Sequence, residues 1–116
     1  MHARRFGGSR YRRRPLRHPD DFVVLGTPGN GFHDSDLDLL LRGRGIERVA
    51  MCGVATNVAV ESTARGASDL NYGLVMLSDG CLTNTEEAHQ ASLKSLGAWY
   101  SEATLTCDQF LAAVRS

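Results

Sequence analysis

The stretch from Arg48 to Leu70 constrains the chain more than any other. Arg48 to Val54 is a short apolar run ending near a glycine, the pattern of a parallel strand buried on both faces. The period then changes. Val60, Ala64 and Ala67 recur at helical spacing, as do Ala59 and Thr63, so a helix with a small apolar face follows. Thr56 or Asn57 is the expected N-cap. The stretch therefore reads strand, tight turn, helix. The unpaired amides of the first helical turn would point above the sheet edge, where they suit negative charge or a developing oxyanion.

The flanking segments extend this pattern. Phe22-Val23-Val24-Leu25 reads as a strand, and the glycine-rich loop from Gly26 to Gly31 ends it. Asp34-Ser35-Asp36 is expected to cap a helix running to about Arg42, with Leu37, Leu40 and Leu41 inside and Gly43 and Gly45 closing it. Tyr72 to Leu77 reads as a strand, with Ser78-Asp79-Gly80-Cys81 leaving the sheet at its carboxyl end. Asp79 there is first a turn-forming aspartate and second a site residue. A capping box, Thr83 with Glu86 or Asn84 with Glu87, starts the next helix. Its buried stripe is expected at Ala88, Ala91, Leu96 and Trp99, with His89 as a hydrogen-bonded structural histidine. Ala103 to Thr106 forms a last short strand. Asp108 or Thr106 caps a terminal helix with Phe110, Leu111 and Val114 inside. Strands alternating with helices indicate a parallel α/β sheet.

The chain's 116 residues, 42% of them hydrophobic, suit one small domain. No run is long and apolar enough to span a bilayer, and the basic start lacks the apolar core of a secretory signal. Three cysteines, Cys52, Cys81 and Cys107, have no metal-ligand spacing and are odd in number, which suits thiols in a reducing cytoplasm. No cofactor or metal motif is present. Charge is uneven. Residues 1–19 carry a net +7 from arginines alone, and residues 20–116 carry −7. Met1 to Arg17 lacks an apolar period and reads as a flexible tail. It could bind an acidic partner, but without an accompanying base-reading element a nucleic-acid role is not expected.

Gly53-Val54-Ala55-Thr56-Asn57-Val58, followed by Val60-Glu61-Ser62-Thr63-Ala64-Arg65, resembles the signature of the isochorismatase-like cysteine hydrolases. That family includes isochorismatases, nicotinamidases, N-carbamoyl amide hydrolases and ureidoacrylate hydrolases. The segment from Asp21 to Ile46 resembles what precedes that signature. The resemblance spans residues 20–116 and implies a Rossmann-like three-layer α/β/α parallel sheet behind the tail at 1–19. It places the nucleophilic cysteine at Ala59 and the catalytic lysine, six residues before Phe32, at Gly26. Alanine has no group that attacks a carbonyl, and glycine cannot hold a thiolate by charge. The family's aspartate lies on a first strand that nothing upstream of Asp20 resembles. The resemblance also implies oxyanion-binding amides at Ala55 and Ala59, often with a cis bond at Val54–Ala55, and a pocket involving Thr56, Asn57, Asp79 and Cys81.

Two expectations follow. The first is an incomplete sheet lacking the family's first two strands. In the family's strand order these lie between Phe22–Leu25 and Arg48–Val54, so the Phe22 segment must move in, stay detached, or leave its place to another chain. The second is a catalytically inactive isochorismatase-like protein serving in binding or assembly, with a small carboxylate or amide as ligand and a homo- or hetero-oligomer as its state. The alternative is a cysteine hydrolase of amide, ester or vinyl-ether bonds with displaced or partner-supplied residues. Cys81 would be its best-placed thiol, since α/β sites gather at the carboxyl ends of strands.

Overall fold

The computed structural model describes residues 21–115. The arginine-rich segment 1–19, its expected flexibility and all but the last residue of the His18–Asp21 turn lie outside the described residues. The described chain forms helix α1 (Leu37–Gly43), strand β1 (Arg48–Val54), a π-helical turn (Thr56–Val60) continuing into α2 (Glu61–Asp69), strand β2 (Gly73–Leu82), α3 (Glu86–Trp99), strand β3 (Ala103–Leu105) and α4 (Cys107–Arg115). The three strands form one parallel sheet in the order β1-β2-β3.

The core lies on one face of this sheet. Val60, Ala64 and Ala67 from the π turn and α2 pack with Leu74 and Met76 from β2 and Leu93 and Leu96 from α3. The small residues on α2 let its backbone come close to the sheet, as their helical spacing requires. Strand alternation turns Leu77 away from this cluster toward the opposite face, where α4 packs on β2 and β3. Helices thus lie on both faces of a partial sheet.

The loop before α1 is docked on α2. The Gly31 N–H donates to Thr63 Oγ1 at 2.8 Å, and both residues are buried. Asn30 passes so near Gly66 that a side-chain carbon at residue 66 would lie 2.6 Å from the Asn30 amide nitrogen. Phe32 stacks on Tyr72 at 5.6 Å, the Tyr72 hydroxyl donates to the Asp38 carboxylate, and the Arg42 guanidinium lies 4.1 Å above the Tyr72 ring while donating to the Leu70 carbonyl. Together these contacts fasten α1 to the α2–β2 connection.

Several expectations are corrected. Phe22–Leu25 is not a strand. It has not moved in to pair with β1, and it stays detached from the described sheet. No sheet edge lies alongside it, so burial positions it instead: Val24 is buried near Leu40 and Leu41, and Arg44 stacks 4.2 Å over the Phe22 ring. Helix α1 starts at Leu37 without a cap from the Asp36 side chain. Ser35 Oγ accepts the Leu37 N–H at 3.3 Å and donates to Gly31 O at 2.6 Å. The expected close of α1 is present, since Gly45 N–H returns to Arg42 O and Ile46 N–H to Leu41 O. Ser78–Cys81 does not leave the sheet. β2 bulges between Met76, opposite Met51, and Cys81, opposite Gly53, then pairs again.

Helix α3 is capped by Thr85, whose hydroxyl accepts the Ala88 N–H at 3.1 Å, and by neither expected box. Its buried stripe is His89, Ser92, Leu93 and Leu96. Of the residues expected there, only Leu96 is in place, and Trp99 is 81% exposed. The stripe is displaced around the helix because polar His89 and Ser92 are satisfied by hydrogen bonds to Thr56, Ser78 and Glu61, which an apolar count does not register. Thr106 caps α4 as expected, accepting the Gln109 N–H while Gln109 Oε1 accepts the Thr106 N–H. Its apolar face is not inside, however: Leu111 and Val114 are exposed and Phe110 is half-buried. Among the described elements it is β2 and β3 that this helix packs against.

Thr63→Val would leave the Gly31 N–H buried without an acceptor, which costs about 1–3 kcal/mol. The thermal midpoint read by circular dichroism should fall by about 4 °C or more; an unchanged midpoint would show that the loop does not depend on this bond.

Candidate functional site

The strand–turn–helix unit is present, with two changes: β1 is an end strand with none of its residues buried, rather than a strand buried on both faces, and the helix opens differently. Ala55 is extended, with φ −102° and ψ 148°, and its carbonyl accepts from Val58 and Val60, opening a π-helical rather than α-helical turn. The Val54–Ala55 peptide bond is cis. Neither Thr56 nor Asn57 is the N-cap. The Thr56 hydroxyl is directed inward instead, where it meets His89 Nδ1 at 2.8 Å, and His89 Nε2 lies 3.0 Å from Ser78 O. Thr56 is fully buried and His89 nearly so. Both ring nitrogens of His89 are therefore occupied, and the histidine joins the helix start, the bulge of β2 and α3. Asn57 faces outward and accepts a hydrogen bond from Thr83 Oγ1 at 2.7 Å.

Ala59 lies in a cleft of about 210 Å³ whose walls include Phe32, Leu41, Cys52, Gly53, Val54 and Thr63. This cleft runs along β1, an end strand of the sheet. A second, more open cleft of about 420 Å³ is bordered by Val54, Ala55, Asn57, Leu82 and Thr83. Ala55 and Ala59, the positions of the expected amide pair, border different clefts that meet at Val54. Gly26 is outside both. A side-chain carbon there would face Ser35 and the Gly31 carbonyl, just before α1.

The other expected site residues are not gathered at Ala59. Asp79 is exposed, and its Oδ1 accepts the Cys107 N–H at 2.7 Å, which holds its carboxyl below the ordinary range. It thus anchors the start of α4 rather than forming a turn. Cys81 is buried in the core, with its thiol directed at Met51 O at 3.8 Å. Burial, with Cys52 nearby, pushes this thiol up, opposite to what a nucleophile needs. Among the described residues no group of three or more histidine, cysteine or acidic side chains is placed to hold a metal ion, and no helix is long and apolar enough to cross a membrane.

Sequence reading missed one polar network beside the site. Glu61 Oε1 accepts from Ser92 Oγ at 2.6 Å, Glu61 Oε2 accepts from Arg65 Nη2 at 2.8 Å, and Arg65 Nη1 donates to the Tyr100 hydroxyl at 2.7 Å. The i,i+4 spacing of Glu61 and Arg65 signals their pairing. No local pattern signals Ser92 or Tyr100. Burial works to raise the Glu61 carboxyl, but the hydrogen bonds from Ser92 and Arg65 outweigh it and hold the group below its ordinary 4.5.

An α/β protein with a cis-linked strand–turn–helix at the carboxyl end of a parallel strand is the fold class these features define. Comparison with known proteins gives the family. The Isochorismatase domain matches residues 11–108, and the chain belongs to the isochorismatase family. It is 38% identical over 95 residues to the uncharacterised isochorismatase family protein YwoC of Bacillus subtilis, covering 82% of this chain and 50% of that protein. It is 39% identical over 99 residues to the ureidoacrylate amidohydrolase RutB of Stutzerimonas stutzeri, covering 82% of this chain and 40% of that one. Among solved structures, an isochorismatase-like hydrolase from Alkaliphilus metalliredigens superposes with a TM-score of 0.78 at 38% identity, over 84% of this chain and 53% of that chain. The chain spans about half the length of the curated relatives it matches.

The Glu61 network predicts a sign for pH. A carboxyl held low in the folded state adds stability above its unfolded pKa and loses that contribution as pH falls through the folded value. Glu61→Gln should therefore cost stability at pH 7, and the difference from the unsubstituted chain should shrink as pH drops below about 4.5. Urea midpoints measured across that range check this, and a difference that grows toward acid would contradict it.

Proposed function

We propose that this chain is a non-catalytic member of the isochorismatase family that serves in binding or assembly. The observation that carries the reading is Ala59. The residue at the family's nucleophile position lines the cleft beside β1 and has only a methyl group to offer. The surroundings agree with it. The lysine position, Gly26, borders neither cleft, and Cys81 is held in the core with its thiol pushed up. The amides at Ala55 and Ala59, one beside each of the two clefts that meet at Val54, are the groups we assign to a small carboxylate or amide ligand. The end position of β1 and the 71% exposure of Val54 suit pairing with another chain, so a homo- or hetero-oligomer in the cytoplasm is the working state we propose. The arginine-rich segment has no assigned role in this reading, and nucleic acid is not the proposed partner.

The competing reading is a cysteine hydrolase of amide, ester or vinyl-ether bonds whose reacting groups are displaced or come from a partner. The named activity of RutB, ureidoacrylate amidohydrolysis, favours testing an amide of that kind. The purified chain should not turn over ureidoacrylate, nicotinamide or simple esters, and blocking its thiols with iodoacetamide should leave the background rate unchanged. Turnover that iodoacetamide abolishes would overturn the proposal.

A further inference from the structure

Two thiols that the proposed function does not use come together on the face of the sheet that carries α4. A side-chain carbon at Gly80 would lie 3.0 Å from Cys52 Cβ and 3.3 Å from Cys107 Sγ. One small volume, left without a side chain of its own at Gly80, therefore touches both cysteines, with Leu77 Cβ as its third neighbour at 3.2 Å. Cys52 is exposed and Cys107 is half-buried. The chain's third thiol, Cys81, packs in the α2–α3 core with its Sγ toward Met51 O, although Cys52 and Cys107 both lie near enough to act on it.

We propose that Cys52 and Cys107 form a two-electron thiol–disulfide couple that hydroperoxides oxidise. The placement depends on elements far apart in sequence. Cys52 comes from β1, Gly80 from the bulge of β2, and Cys107 from the first residue of α4, which the bond from its N–H to Asp79 fixes in place. The two thiols have unequal roles. The Asp79 carboxylate, with burial in support, pushes the Cys107 thiol up and keeps it protonated. Cys52 is the more accessible thiol and attacks first.

Its thiolate attacks one oxygen of hydrogen peroxide and becomes a sulfenic acid, and the departing hydroxide takes up the proton that the Cys52 thiol released and leaves as water. Cys107, losing its proton, then attacks that sulfur and expels a second water. Two thiols lose two electrons and two protons in all, and one hydrogen peroxide becomes two waters. The bridge would tie α4 to β1 across Gly80. This inference is independent of whether the chain hydrolyses anything.

Hydrogen peroxide treatment of the full chain, followed by peptide mass mapping without reductant, tests it. The expected product is a monomer lighter by two hydrogens, with the Cys52 and Cys107 peptides joined, reversed by dithiothreitol and melting at least about 5 °C higher. Cys81→Ser should leave the bridge intact. Cys107→Ser should abolish it and let Cys52 gain oxygen atoms instead. Gly80→Ala, which inserts a methyl between the two residues, should slow bridging about tenfold or more; should that variant fail to fold, the Cys107→Ser result decides alone. Over-oxidation of Cys52 in the unsubstituted chain with Cys107 left reduced would overturn the proposal, as would a Cys52–Cys81 bridge or bridging only between two copies.

Discussion

The hydrogen bonds of His89 hold this structure to one arrangement. Three elements that belong to different parts of the sequence meet at its ring: the Thr56 hydroxyl from the turn after β1, the Ser78 carbonyl from the bulge of β2, and α3, which carries the ring itself. A buried imidazole with both nitrogens engaged is stable only where its partners are, and a buried hydroxyl without an acceptor or donor costs about 1–3 kcal/mol. The constraint runs both ways. The turn after β1 must present Thr56 inward, and so it begins with the side chain of its first helical residue unavailable for capping. The π-helical opening and the absence of a side-chain cap are what remain once that hydroxyl has been used elsewhere.

The same economy explains how much of the chain was legible before its structure was known. The strand–turn–helix from Arg48 to Asp69 was readable because its signals are local: an apolar run, then small residues at helical spacing. The carboxyl-end caps of α1 and the Thr106 cap of α4 were readable for the same reason. The faces of α3 and α4 were not. Helix α3 is turned by His89 and Ser92, polar residues whose partners lie 33 and 31 positions away. For α4, apolar residues predicted a covered face that the described residues do not supply. The strand expected at Phe22–Leu25 failed on similar grounds, because a strand needs a neighbour and sequence cannot show whether one is alongside.

At the candidate site the positions were legible and their arrangement was not. Ala55, Ala59, Thr56 and Asn57 lie where the unit places them, but Thr56 and Asn57 face opposite ways, one into the core and one to solvent. Asp79 and Cys81 sit on one strand only two residues apart, yet one anchors a helix and the other fills the core on the far face. The bulge in β2 causes this, since it resets the alternation that separates neighbouring side chains. A family signature fixes which residues stand near a helix start. It does not fix which of them a reacting molecule would meet.

The close passage of Asn30 over Gly66 has a consequence for how such a chain can drift over generations. Any replacement of the glycine drives a carbon into the asparagine amide, whose oxygen is already engaged with the Phe32 N–H. The helix and the loop above it therefore share one lock. A lineage can enlarge residue 66 only where the Asn30 amide swings aside and gives up the Phe32 N–H, so the glycine side of this seam is less free to change than the open edge and the exposed face of α4.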